Sequence, residues 1–180
     1  MTLTPVPDPI TFEKTGPFYE MVLAYVSAVA GIEGVALPAN PLGHYKGQPG
    51  IGLEGKVHTK FVVDTYDLWL LHRNHSLAVP NLVASLCQML VNTAYESVSH
   101  GNTHSAEFEF FRHARNASSH GGIFNFSKNE PSRPAVWRGV AIDHLQKGQS
   151  NPLYGKRCFL ELLGPADPIL LLWDIEQLLR

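Results

Sequence analysis

At 180 residues, 44% hydrophobic and 17% charged, the chain carries enough apolar surface to bury a core of its own, which excludes an intrinsically disordered protein. Fourteen Lys and Arg against sixteen Asp and Glu give a formal charge of -2, so the overall balance does not call for nucleic acid or an acidic membrane surface as partner. Asp8, Glu13 and Glu20 against Lys14 alone give the wrong sign for a secretory leader ahead of the apolar run from Met21 to Ile32. Asn81, Gln88 and Asn92 interrupt the next apolar run, so no membrane span is expected. Cys87 and Cys158 sit in apolar surroundings as small buried hydrophobes, which fits a reducing, cytoplasmic setting.

Residues 1–16, with Pro5, Pro7 and Pro9, read as an extended arm. Gly16-Pro17 opens a helix whose Phe18, Val22, Tyr25, Val29 and Ile32 recur at four- and three-residue spacing, giving one buried stripe. Glycine and proline then dominate, and residues 38–56 are expected to form a long loop, followed by a short strand over Lys60 to Val63. A helical region follows from about Asp64 to Leu71, and a stronger one opens at Pro80 with Val83, Leu86, Leu90, Ala94 and Val98 inward. Thr103 or Ser105 caps the next helix, with Glu107 and Glu109 in its first turn, Phe110, Ala114 and Ala117 on its inward face, and Gly121-Gly122 at its end.

Residues 123–165 change character. Phe124-Asn125-Phe126 alternates, Pro131 and Pro134 break any helix, and a small hairpin is expected around Ala135 to Ile142. A last helix starts at Asp167-Pro168, read as cap and first-turn proline, and carries Leu171, Leu172, Ile175, Leu178 and Leu179. The sum is an all-α, single-domain bundle of four or five helices over residues 1–180, with a minor strand element before the C-terminal helix.

Two motifs match in letters without the setting that gives them function. Gly50-Ile51-Gly52-Leu53-Glu54-Gly55 fits the dinucleotide pattern G-x-G-x-x-G, and Gly50 to Lys56 fits the start of a phosphate-binding P-loop. Neither has a strand leading in or a helix leading out, and Val57 stands where a P-loop needs Ser or Thr. Among nine histidines, His72 and His75 are three apart and His100 and His104 four apart, but Gly101-Asn102 breaks the latter pair's alignment and zinc needs three or four convergent ligands. Neither a metal nor a cofactor is expected.

The candidate site lies in Arg112-His113-Ala114-Arg115-Asn116-Ala117-Ser118-Ser119-His120. Asn116 and His120 are four apart and share a helix face, so the carboxamide can orient the imidazole. Arg115 lies about 140° from His120 and can swing across. A histidine can move a proton near neutral pH and an arginine can hold two phosphate oxygens, which together suit metal-free chemistry on a phosphodiester whose nucleophile is the neighbouring 2'-hydroxyl of RNA. The same residues also fit a helix cap with surface hydrogen bonds.

Arg115 to His120 resembles the R-x4-6-H signature, with a polar residue directly after the arginine, of HEPN domains. The stretch from Arg112 to Gly122, with Phe124-Asn125-Phe126, the segment Pro134 to Gly139 and Asp174-Ile175-Glu176, is similar to an uncharacterised bacterial HEPN-like family. The resemblance implies an all-helical, dimeric domain and a metal-independent endoribonuclease of toxin-antitoxin or antiphage type. Arg115 and His120 would be the catalytic pair, Asn116 their support, and Arg112, His113 and Ser119 the RNA- or phosphate-binding neighbours. It also implies an antitoxin or nucleotidyltransferase as a partner. The alternatives are a non-catalytic HEPN module that binds RNA, nucleotide or a partner protein, and a structural helical dimer. Arg138 and His144 also fit the spacing, but Gly139 replaces the polar residue and no helix is expected there.

The charge is sorted along the chain. Residues 1–111 hold five basic and ten acidic side chains, residues 112–157 eight and two, and residues 158–180 one and four. The basic block starts at the candidate site, a local case for a polyanionic partner.

Overall fold

The computed structural model describes residues 10–36, 46–47, 50–54, 56, 60–74, 78–101, 104–142 and 146–180. Its regular structure is mainly helical: α1 (Tyr19–Ala36), α2 (Thr65–Arg73), α3 (Val79–Val98), α4 (Ala106–Ser119) and α5 (Asp167–Leu178). Two antiparallel hairpins accompany them, β1 (Ile51–Glu54) with β2 (Lys60–Val63) and β3 (Ala135–Trp137) with β4 (Val140–Ile142). The chain divides into two compact units, residues 1–25 with 84–180, and residues 26–83.

In the smaller unit, β1 pairs with β2 in the register Ile51 to Val63 and Glu54 to Lys60. The glycine-rich stretch expected as loop is therefore partly a strand. Gly50 and Gly52 belong to a hairpin: a Cβ on Gly50 would lie 2.4 Å from the Val63 carbonyl oxygen, so its glycine serves close strand approach rather than a phosphate. Asp64 caps α2, its Oδ1 accepting from the backbone N–H of Tyr66 at 2.8 Å. Arg73 lies over the Trp69 ring on that helix.

In the larger unit α4 is the central element. Phe108, Phe110, Phe111, Ala114 and Ala117 are buried, and three elements close around them. Tyr95 of α3 packs edge-on against Phe111, Trp137 of β3 meets Phe110, and Phe126 covers His113. The expected alternation holds, with Phe124 and Phe126 buried and Asn125 exposed. Arg138 and Gly139, with φ of 45° and 82°, make the two-residue turn between β3 and β4, a primed turn that suits strand twist. The α1 stripe is fully buried at Phe18, Val22 and Tyr25. Tyr25 donates from its hydroxyl to the Pro165 carbonyl at 2.7 Å and lies 3.2 Å from the Cys87 sulfur. Both cysteines are free and buried.

Leu171, Leu172 and Ile175 anchor α5, each contributing about 1.5–3 kcal/mol by burial. Two expectations for this helix are corrected. Asp167 is its first residue rather than its cap, with Oδ2 accepting from the Gly164 backbone N–H at 2.7 Å, and Leu178 faces solvent beyond the buried turns. Trp137 Nε1 and the Arg138 guanidinium both donate to the Asp174 carboxylate and join α5 to β3. Arg138 is committed to that contact, and His144 lies outside the described residues. No helix among the described residues is long and apolar enough to cross a membrane.

Candidate functional site

Ser105 opens α4, accepting from the Phe108 N–H at 3.1 Å, as one of the two expected caps; Thr103 lies outside the described residues. The helix closes where the glycines predict. His120 is the terminal cap residue, and Gly121 and Gly122 follow with φ of 71° and 81°. The Gly122 N–H donates back to the Ala117 carbonyl at 2.8 Å, the six-to-one bond of a Schellman ending. A Cβ on Gly122 would meet the movable end of the Gln88 side chain at 2.8 Å, so it is the left-handed φ that calls for glycine there.

This ending places His120 on the surface at the negative end of the helix dipole, its imidazole without a hydrogen-bond partner among the described residues. Arg115 and Ser119 lie along the preceding turn and contact α3, with Asn116 beside Arg115. Arg115 Nε donates to Glu96 Oε1 at 2.9 Å, its Nη2 reaches the same oxygen, and the guanidinium covers the Tyr95 ring with its carbon 5.6 Å from the centroid. Arg115 Nη1 donates to Asn116 Oδ1 at 3.4 Å, and Ser119 Oγ donates to Asn92 Oδ1 at 3.0 Å. The Asn116 carboxamide thus faces Arg115, not His120 as the four-residue spacing suggests.

One turn earlier, the structure takes two expected phosphate contacts out of reach. His113 is 1% exposed and its ring lies tilted against Phe126, so it belongs to the core. Arg112 is consumed by carboxylates: Nε and Nη2 donate to Glu109 at 3.1 and 2.7 Å, and Nη1 donates to Glu130 at 3.0 Å. Burial pushes the His113 imidazole down to about 4, reinforced by the adjacent Arg112 charge. Burial alone would raise the Glu109 and Glu130 carboxyls, but hydrogen bonds from Arg112 outweigh it and hold both below the usual range. The two carboxylates in turn raise Arg112. Arg112, Glu109, Glu130 and His113 form a structural network under the site.

Sequence reading missed Glu96, Tyr95 and Asn92. The available signal was their three- and four-residue spacing on α3, but nothing in one sequence says which face of α3 meets α4. Of the histidine pairs, His75 lies outside the described residues, and His104 Nδ1 is 2.5 Å from Arg133 Nη1. Among the described residues no three His, Cys, Asp or Glu side chains cluster as metal ligands. No protein-family model, curated protein or solved structure matches the chain.

Proposed function

We propose that the chain is a cytoplasmic endoribonuclease of HEPN type that cuts single-stranded RNA without a metal, as a dimer whose two α4 ends meet. The observation that carries this reading is the ending of α4: a solvent-facing His120, its imidazole without a hydrogen-bond partner among the described residues, one turn beyond Arg115 and Asn116, which contact each other. In the reaction the 2'-hydroxyl oxygen attacks the adjacent phosphorus as its proton passes to a neutral imidazole. The bond from phosphorus to O5' breaks, and an imidazolium delivers a proton to O5'. The products are a 2',3'-cyclic phosphate and a 5'-hydroxyl. Each chain supplies one His120, so two copies provide the base and the acid, and Arg115 balances the charge on the phosphoryl oxygens.

The end groups test the chemistry. Digestion of a defined RNA in excess EDTA should leave 2',3'-cyclic phosphate and 5'-hydroxyl termini, read by mass spectrometry. Termini with 5'-phosphate and 3'-hydroxyl would reject the mechanism, as would cutting that EDTA abolishes.

One observation favours a second reading, a HEPN module that binds RNA or nucleotide without cutting. Glu96 already occupies the guanidinium that would hold the phosphate. Retention of RNA by wild-type protein with no cleavage under any condition would select it.

A further inference from the structure

Four of the eight basic side chains between residues 112 and 157 are already engaged. Arg112 and Arg138 are spent on carboxylates, Arg115 is held by Glu96, and Arg133 meets His104. Lys156 and Arg157 are exposed, with no ion-pair or hydrogen-bond partner on either side chain among the described residues. The one carboxylate contact at this point is Glu161 Oε2, which accepts from the backbone N–H of Arg157 at 3.2 Å.

Their position follows from the backbone. Arg157 is bridged antiparallel to Ile123, Phe124 N–H donates to the Lys156 carbonyl at 2.9 Å, and Cys158 N–H donates to the Gly122 carbonyl at 2.7 Å. The segment is thus laced to Gly122, Ile123 and Phe124, just past His120. Bridged residues lie about 5 Å apart and three residues span at most about 11 Å, so Arg157 sits within about 16 Å of His120. The turn leading into it, closed by Tyr154 N–H on the Asn151 carbonyl at 2.9 Å, presents Tyr154 at 39% exposure, and Ile123 is 42% exposed. An exposed ring beside two free cations is the chemistry of single-stranded nucleic acid binding: bases stack on the ring and phosphates meet the cations.

We propose that Tyr154, Lys156 and Arg157 bind the single-stranded RNA that flanks the bond presented to His120. This rests on the ribonuclease reading for the identity of the polyanion, but its own claim is binding. A strand of the 4–16 nucleotides typical of such sites spans both places.

The test uses a fluorescein-labelled 12-nucleotide single-stranded RNA, the full chain, and anisotropy titrations at several salt concentrations, with thermal melts confirming that each variant is folded. Lys156→Ala with Arg157→Ala should weaken binding about tenfold and lower the salt slope by about 1.4. Tyr154→Ala should weaken it about fivefold. Lys147→Ala, an exposed cation outside the segment, should change neither. Wild-type-like binding by both Tyr154→Ala and the double variant overturns the proposal and leaves the ribonuclease reading standing. Absence of binding by wild type at low salt overturns it as well, and cleavage of a dinucleoside monophosphate, too short to reach Lys156, then judges the ribonuclease separately. Binding that the variants lose, in a protein that cuts no RNA, upholds the binding edge and rejects the ribonuclease.

Discussion

Glu96 of α3 and Arg115 of α4 form an ion pair in which two guanidinium nitrogens converge on one carboxylate oxygen, with the guanidinium lying over the neighbouring Tyr95 ring. On the ribonuclease reading proposed above, this carboxylate competes with the substrate phosphate for Arg115. With Glu96 55% and Arg115 32% exposed, the pair contributes at most about 1 kcal/mol to the fold, and breaking it is cheap.

Glu96→Gln should therefore tighten RNA binding about two- to fivefold, corresponding to the roughly 0.5–1 kcal/mol of competition removed, while the melting temperature stays close to wild type. Anisotropy and a thermal melt on the same sample measure both. Weaker binding by this variant would mean that Glu96 positions Arg115 for phosphate instead of competing with it.

The network beneath the site predicts an acid limit to stability. His113 binds a proton more weakly folded, at about 4, than unfolded, near 6.5, so its contribution is complete above about pH 6.5 and is lost as pH falls toward 4. Glu109 and Glu130, held below their ordinary values, contribute above the ordinary carboxylate range and lose that contribution at still lower pH. Stability from urea titrations should be flat above pH 6.5 and fall by about 2–3 kcal/mol by pH 4. A flat profile down to pH 4 would contradict the burial of a neutral His113.

Arg112→Met removes the cation between Glu109 and Glu130 while keeping most of the side-chain volume. It should cost about 3 kcal/mol, because it strands a buried carboxylate, with partial exposure of Arg112 moderating the loss. A urea midpoint unchanged from wild type would show that solvent already satisfies these carboxylates.

Most of α1, α3, α4 and α5 was legible in the sequence because periodicity, caps and glycine endings are local signals. Ser105 and Gly121-Gly122 bracket α4, and the Phe124, Phe126 alternation and the Ala135 to Ile142 hairpin follow the same logic. The failures come from partners distant in sequence. Gly52 forms a strand only because Val62 lies opposite it, which glycine content cannot announce. His113 reads as a site residue until Phe126 covers it, and Arg112 as a phosphate ligand until Glu130, eighteen residues on, takes its Nη1. Asn116 accepts from Arg115, whose guanidinium is in turn held by Glu96 of α3, a partner nineteen residues away that helix spacing does not reveal.

Gly122→Ala tests whether the helix ending sets the site. A left-handed φ of 81° should cost about 1–2 kcal/mol and shift the end of α4. RNA cleavage should fall more than RNA binding, because His120 moves while Lys156 and Arg157 keep their charge. Equal losses in the two assays would argue that the ending serves stability alone.

The proposed cleavage depends on His120, and single-turnover reaction of a 5'-labelled single-stranded RNA in EDTA with wild type and His120→Ala tests it most directly. His120 is exposed and bonded through its backbone only, so the variant should melt like wild type and still bind RNA, with the cleavage rate lowered at least about a hundredfold. Cleavage by His120→Ala at the wild-type rate would contradict it.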